Sequence, residues 1–315
     1  MSKTAFITHS DCLLHVPPAG HPEAPSRLTA IIEALATTEF SSLIRIDAPI
    51  GTYADIERVH PVAHINQILS LSPKMGQRAI ALDGDTFMSS GTLTAALRGV
   101  GAIIAGVDGM LSGTFDRAFC ATRPPGHHAE TSQAMGFCIW NTAAIGALYA
   151  RVTYGLQRVA VVDFDVHHGN GSQEIALQDP DFFYASIHQD GIYPGSGLKS
   201  ETAFGNLLNV SMPDQTMSGP WRTAIETKIF PAIVAFKPDI LIVSAGFDGH
   251  RLDPLASLNL EANDFAWVTN ELLKLTGGKL VSTLEGGYHL TALSECVQEH
   301  VRAMVAYDQH AGGVP

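Results

Sequence analysis

The residues able to do chemistry gather first in Arg158 to Gly171, R-V-A-V-V-D-F-D-V-H-H-G-N-G. Val159 to Val162 is a continuous apolar run, as in a central parallel strand buried on both faces. Asp163, Asp165 and His167 follow at alternate positions, and an extended chain puts all three on one face. Gly169 and Gly171 break the strand before a helix expected over Ser172 to Gln178. Two carboxylates and an imidazole at the carboxyl end of such a strand are placed as ligands for zinc or another first-row metal ion. Taken alone, the stretch also reads as a hydrogen-bonded polar strand end with Asp163 capping a turn.

Three further strands expected from the pattern end in reactive side chains. Phe115 to Ala121 leads into Arg123-Pro-Pro-Gly-His127-His128, Asp239 to Ser244 into Ala245-Gly-Phe-Asp248-Gly-His250, and Lys279 to Leu284 into Glu285-Gly-Gly-Tyr288. The carboxyl ends of parallel strands converge on one rim, so these groups are expected to share a pocket. Asp165, His167 and Asp248 then give three ligands from two strands and leave a metal one open position for water, the arrangement of catalytic zinc. Ferrous iron suits the same donors. Each piece alone is ordinary turn chemistry; their occurrence at successive strand ends is the signal.

The rest of the chain must position them. Thr4 to Thr8 and Leu43 to Ile46 read as strands, and His15 to Arg27 as an ordered, proline-rich loop. Ser26 is expected to cap a helix carrying Leu28, Ile31, Ile32 and Leu35. Further helices are expected over Pro61 to Leu71, Thr92 to about Leu111, Asn141 to Val152, Trp221 to Phe236, Glu261 to Thr276 and Leu293 to Val305. Leu82 to Ser90 reads as a loop and Phe182 to Ile187 as a strand. With no repeat or linker, residues 1–315 are expected to form a single α/β domain. Its architecture would be an open, mostly parallel sheet with helices on both faces.

Composition narrows the function. The chain has 315 residues, 46% of them hydrophobic and 16% charged, enough for a sizeable core. A net charge of −12 without any basic run argues against nucleic-acid binding, while an acidic surface attracts cationic substrates. Cys12, Cys120, Cys138 and Cys296 are scattered, as reduced core thiols are. The N-terminus lacks a signal-peptide pattern, and no apolar run reads as a membrane span. A cytoplasmic protein is expected; a homo-oligomer is left open.

Together, Pro124-Pro125-Gly126-His127-His128, Asp163-x-Asp165-x-His167-His168-Gly169-Asn170-Gly171, Gly246-Phe247-Asp248 and Glu285-Gly286-Gly287-Tyr288 resemble the signature of the arginase/deacetylase-fold amidohydrolases. These are the zinc-dependent histone deacetylases, the acetylpolyamine amidohydrolases and their bacterial relatives. The likeness runs from His21-Pro22-Glu23 through Met135-Gly136-Phe137-Cys138 to Tyr288. Val166, Asn170, Phe247 and Asp253-Pro254-Leu255 are closer to the class II branch.

The resemblance implies zinc on Asp165, His167 and Asp248, with His128 as general base and His127 as its electrostatic partner. Tyr288 would donate to the oxyanion, Asp163 would orient His127, and Asn170 would accept the Nδ1 proton of His128. It implies a structural potassium ion on the carbonyls of Asp163, Asp165, His167 and Ile187 with the Ser186 hydroxyl. Gly136, Phe137, Tyr193, Leu255 and Gly287 would line the substrate tunnel, with core packing the alternative for Gly136 and Phe137. Arg27 would stand beside a product channel, or in a structural salt bridge. The implied substrate is an acylated amine: an acetyl-lysine peptide or, in second place, an acetylpolyamine or small amide. A metalloprotein that binds acylated ligands without turnover is a third reading, one with no need of Tyr288. His289, and the pair His250-Arg251, depart from the family pattern at the rim.

Overall fold

In a computed structural model that describes residues 3–198 and 204–307, the apolar runs become strands and the amphipathic runs between them helices. The first half carries β1 (Thr4–Thr8), α1 (Pro25–Ala34), β2 (Ile44–Asp47), α2 (Tyr53–Ile56), α3 (Val62–Leu71), a small ribbon of β3 (Ile80–Ala81) and β4 (Phe87–Met88), α4 (Thr92–Leu111), β5 (Arg117–Cys120) and α5 (Thr142–Tyr154). The second half carries β6 (Val159–Asp163), α6 (Asn170–Ala176), β7 (Phe182–Gln189), β8 (Leu207–Met212), α7 (Ser218–Ala224), α8 (Phe230–Phe236), β9 (Ile240–Ala245), α9 (Ala262–Leu275), β10 (Leu280–Leu284) and α10 (Leu290–Ala306).

Eight strands form one sheet in the order β2-β1-β5-β10-β9-β6-β7-β8, every pair parallel. The four strands that end in reactive residues, β5, β10, β9 and β6, are therefore consecutive neighbours. Register sets their ends level, with Asp163 opposite Ser244, and Leu284 opposite Ala245. Because the sheet is covered on both faces, β5, β6, β7, β9 and β10 are buried at every position, and the core divides in two. One half packs Phe119, Phe164, Phe247 and Phe265 against α1, α9 and α10; the other packs Val161, Ile242 and Val281 against α4 and α5.

Several boundaries differ from the sequence reading for local reasons. α1 starts at Pro25 after Ala24, not at a Ser26 cap, because proline's fixed φ suits the first helical position. The run expected as one helix over Trp221 to Phe236 is α7, a π-helical turn at Ile225–Ile229 and α8. Pro231 cannot donate to the ladder, and the wider turn just before it absorbs that lost bond. β8 was missed because L-L-N-V-S-M alternates too briefly to stand out, and β3 and β4 fall on the stretch around the expected Leu82–Ser90 loop. Among the described residues α4, 20 residues long, is the helix apolar enough to cross a membrane. Over half of it is buried, and Gly106 lies so close to Val281 and Cys120 that a Cβ would crowd them.

The proline-rich loop is held by a buried ionic cluster. Glu23 accepts from Arg123 Nη2 at 2.6 Å and from Arg27 Nη1 at 3.2 Å, and lies 3.1 Å from His15 Nε2. Burial alone would raise the Glu23 carboxyl, but Arg123, His15 and Arg27 hold it well below its usual range. Its stabilising contribution is thus complete at neutral pH and lost only as pH falls through that depressed value. Glu23→Ala leaves two buried guanidinium groups without their shared counter-charge. The expected loss is about 3–5 kcal/mol of stability at pH 7, read by chemical denaturation, whereas a change below 1 kcal/mol would show that Glu23 is dispensable.

Candidate active site

Beyond β6 the chain does not stay extended, as the alternation reading required; the strand ends at Asp163. Asp163 Oδ1 accepts from the Asp165 amide at 3.1 Å, and Asp165 Oδ1 from the His167 amide at 2.9 Å. Two successive side-chain turns, each reaching two residues ahead, thus replace strand geometry. They bring Asp165 and His167 together with Asp248 from the loop after β9. Ligand atoms of the three lie within 4.8 Å of one another.

Each group is held by backbone. Asp165 Oδ2 accepts from the Gly286 amide at 2.7 Å, and Asp248 Oδ1 from the Val166 amide at 3.0 Å. That leaves Asp248 Oδ2 facing His167 Nδ1 at 3.0 Å, with Asp165 Oδ1 at 3.2 Å. Gly246 and Gly286 make this approach feasible, since a Cβ on either would collide with the Asp165 or Asp248 carboxylate. Burial lowers the His167 pKa, but the hydrogen bonds and charges of Asp165 and Asp248 outweigh it and raise it to about 10. Burial raises Asp165, and the charges of His127 and His167 overcome that and hold it below the usual carboxylate range. Two oxygen donors and one imidazole nitrogen turned toward one point fit a first-row metal ion.

The adjacent histidines after β5 have opposite surroundings. His127 Nδ1 lies 3.0 Å from Asp163 Oδ2, which also accepts from the Tyr184 hydroxyl at 2.9 Å. Burial pulls His127 down, yet Asp165, Asp163 and Glu285 hold it up at about 10. His128 Nδ1 lies 2.9 Å from Asn170 Oδ1, and burial with the positive charge of His127 and His167 holds it well below its ordinary value. Two imidazoles pushed in opposite directions thus lie with ring centroids 3.9 Å apart.

Above them is a cavity of about 200 Å³ lined by Asp85, His128, Gly136, Phe137, His167, Tyr193, Leu255 and Tyr288. Tyr193 stands edge-on to His128 at 5.0 Å, and Phe137 edge-on to Tyr288 at 5.8 Å. Phe137 has a φ of +69°, a left-handed position held by Thr86 Oγ1, which accepts from its amide at 2.9 Å. Phe137 therefore walls the cavity as well as packing against His21. The Tyr288 hydroxyl is held protonated, chiefly by burial, well above its usual value. Arg27 is buried below it, donating at 2.5 Å each to the Gly287 and Glu285 carbonyls, with its guanidinium 4.7 Å from the Tyr288 ring centre. A larger groove of about 480 Å³ at the opposite edge, among Met110, Lys237, Leu275 and Lys279, is remote from this chemistry.

The structure gives roles to residues for which the sequence reading assigns none. Asp253 accepts from the Tyr288 amide at 2.7 Å and the Leu255 amide at 3.0 Å, fixing two walls at once; burial and Asp248 push its carboxyl up to about 7. Glu285 accepts from the Gly126 and His127 amides at 2.7 and 3.1 Å and is pushed up to about 7 by burial. Asp85 lies at the mouth, and Glu130 touches Asn170. The two rim departures have structural work: His289 caps α10 by accepting from the Ala292 amide, His250 accepts from the Leu252 amide, and Arg251 pairs with Glu261. At the expected potassium position, β6 and β7 set Asp163 opposite Ser186, whose hydroxyl is 2.8 Å from His188 Nδ1, with Ile187 next in line.

The family model of the histone deacetylase domain matches residues 21–304. The chain belongs to the histone deacetylase family. It is 36% identical over 314 residues to histone deacetylase 14, chloroplastic, of Arabidopsis thaliana, covering 92% of this chain and 74% of that one. It is 32% identical over 313 residues to the histone deacetylase-like amidohydrolase of Pseudomonas aeruginosa, covering 91% and 82%. The crystal structure of the HDA15 HD domain superposes with a TM-score of 0.90 at 33% identity, over 97% of this chain and 90% of that one. Fold and family thus agree with the histone deacetylase/acetylpolyamine amidohydrolase superfamily, whose members hydrolyse acylated amines.

The geometry of the triad makes a prediction for any metal it holds. An ion bound at His167 Nδ1 would displace a proton shared there with the two carboxylates, so binding would release a proton and weaken as pH falls. Titrating chelator-treated protein with zinc at pH 7, in two buffers of different ionisation enthalpy, should show at least one proton released per ion. Heats that do not depend on the buffer would contradict the raised His167 pKa.

Proposed function

We propose that this chain is a zinc-dependent deacylase that hydrolyses the acyl amide of acyl-lysine or a similar acylated amine. The observation that carries the proposal is the meeting of three elements around one cavity: the Asp165–His167–Asp248 triad, which reaches it through His167, His128 with its Nδ1 facing Asn170, and Tyr288. Zinc on the triad would supply Lewis-acid chemistry, polarising the amide carbonyl and lowering the pKa of water.

The chain's own groups do the rest. His128 holds its proton on Nδ1 against Asn170 Oδ1, so Nε2 is free to take the proton of the attacking water and later deliver it to the leaving amine. His127, paired with Asp163, keeps a positive charge beside the tetrahedral oxyanion. The Tyr288 hydroxyl donates to that oxyanion, with its backbone fixed by Asp253 and the neighbouring carbonyls gripped by Arg27. The space between Phe137 and Tyr193 suits the unbranched stem of lysine, and Leu255 offers no counter-charge to a polyamine, which leaves Asp85 as the carboxylate lining the cavity that a second cationic group could meet. We assign potassium to the carbonyls of Asp163, Asp165, His167 and Ile187 with Ser186 Oγ, since such oxygens suit a hard cation.

Three experiments test the reading. Purified protein should turn over a fluorogenic acetyl-lysine amide, lose that activity to a chelator and regain it with zinc. Asp248→Ala should lose metal and activity together, and one tight equivalent of zinc in an active Asp248→Ala protein would end the assignment. Tyr288→Phe should keep the metal and leave the melting temperature almost unmoved. Its kcat should fall roughly a hundredfold or more, the usual cost of removing one oxyanion donor. A Tyr288→Phe enzyme near the wild-type rate would reduce that side chain to a wall.

A further inference from the structure

The partner of His128 is an amide, and an amide raises a problem that a carboxylate does not. For Nε2 to accept a proton, the neutral imidazole must carry its hydrogen on Nδ1, so the group facing Nδ1 must be an acceptor. Asn170 has one acceptor and one donor end of nearly the same shape, and only its neighbours decide which end points where. Turned the other way, its NH₂ would donate to Nδ1 and place the hydrogen on Nε2, where it blocks the base.

The surroundings of the amide nitrogen settle the orientation. Asn170 Nδ2 lies 2.8 Å from Glu130 Oε1, 3.3 Å from Met135 Sδ and 3.4 Å from the His128 carbonyl, and all three accept. In the reversed amide the Asn170 oxygen would face all three lone pairs. Glu130 is the only one of the three that carries charge, so it has the largest say. Its place is itself fixed: the Glu130 amide donates to the Gln133 carbonyl at 3.0 Å. The next residue, Thr131, donates through its amide and hydroxyl to Glu174 on α6, at 2.6 and 2.9 Å. Asn170 opens that same helix, whose Gly171 amide donates to the His127 carbonyl at 3.1 Å.

We infer that Glu130 is a positioning residue for the reaction: by taking the Asn170 NH₂ it turns the amide oxygen to His128 and sets the tautomer of the base. This rests on the proposed role of His128. The arrangement also changes what Asn170→Asp would do. An aspartate needs no orienting, but one of its oxygens would then lie against the Glu130 carboxylate, with two like charges at hydrogen-bond distance. Asparagine with glutamate, or aspartate without it, are thus two self-consistent solutions, and the mixed pairs are not.

A double-mutant cycle tests this with metal-loaded protein, reading kcat and KM on an acetyl-lysine amide and the imidazole tautomer by ¹⁵N NMR. Glu130→Ala should lower kcat tenfold or more with KM little changed, and shift the His128 hydrogen toward Nε2. Glu130→Gln, whose amide oxygen can still accept from Asn170, should retain at least a third of the wild-type kcat. In the Asn170→Asp background the sign should reverse, with Glu130→Ala raising kcat severalfold. Equal losses in both backgrounds would show Glu130 to be merely structural and overturn the inference, as would an unchanged tautomer in Glu130→Ala. A shifted tautomer without loss of rate would uphold the clamp and remove His128 from the reaction, which separates failure of the function from failure of this inference.

Discussion

Four carboxylates at the ends of β6, β9 and β10 have to be neutralised where almost no water reaches. Asp163, Asp165, Asp248 and Glu285 are all fully buried, and an unpaired charge in such a place is prohibitively costly. The site around them is the solution. Asp163 and Asp165 hold the His127 pKa up, Asp165 and Asp248 that of His167, and burial pushes Glu285 toward neutrality despite two backbone amides that donate to it. Any cation with a preference for oxygen and imidazole donors relieves the remaining strain of like charges. Burial, and the two positive imidazoles beside it, hold His128 well below its ordinary value against the pull of Asp165. The protonation of all these groups is thus set by one local balance of charge.

Much of this was legible in the chain because the chemistry lies at strand ends. A strand announces itself by an apolar run, and polar residues just after it are conspicuous: His127, His128, Asp165, His167, Asp248 and Tyr288 all stood out. The structure brings these six around one cavity and its floor. Asn170 could be paired with His128 from motif alone. Glu130, Asp253 and Glu285 have no role legible in the sequence, although the last two lie in quoted motifs, because their meaning lies in partners distant along the chain. Glu285 matters through amides at Gly126 and His127, and Asp253 through the amide of Tyr288. Backbone amides have no letter in a sequence.

Secondary structure failed where side chains overrode the local pattern. The alternation of Asp163, Asp165 and His167 suggested extended chain, yet short carboxylates capture the amides two residues on and bend the backbone. The outcome for function is the same clustering on one side, reached by turns instead of pleats. Turns tie ligand geometry to the carboxylates themselves, so these side chains both shape the loop and face its centre. The π-helical turn before Pro231 is the other such case: proline could be seen in the sequence, but not the way the helix would absorb it.

The strand order carries a consequence for how the protein comes into being. Among the described strands β10 is the last to leave the ribosome, yet it lies in the middle of the sheet, between β5 and β9. Until Leu280–Leu284 is made, the nascent chain can assemble β2-β1-β5 and β9-β6-β7-β8 only as separate half-sheets. Each then carries an unpaired edge of buried-type residues. Joining them requires contacts of high sequence separation, which form slowly and leave sticky edges exposed meanwhile. The last strand also delivers Tyr288, so closing the sheet and completing the cavity are one event. A ribosome-bound chain stalled before β10 holds the triad residues without the tyrosine, and the cell meets the finished site only in the finished fold.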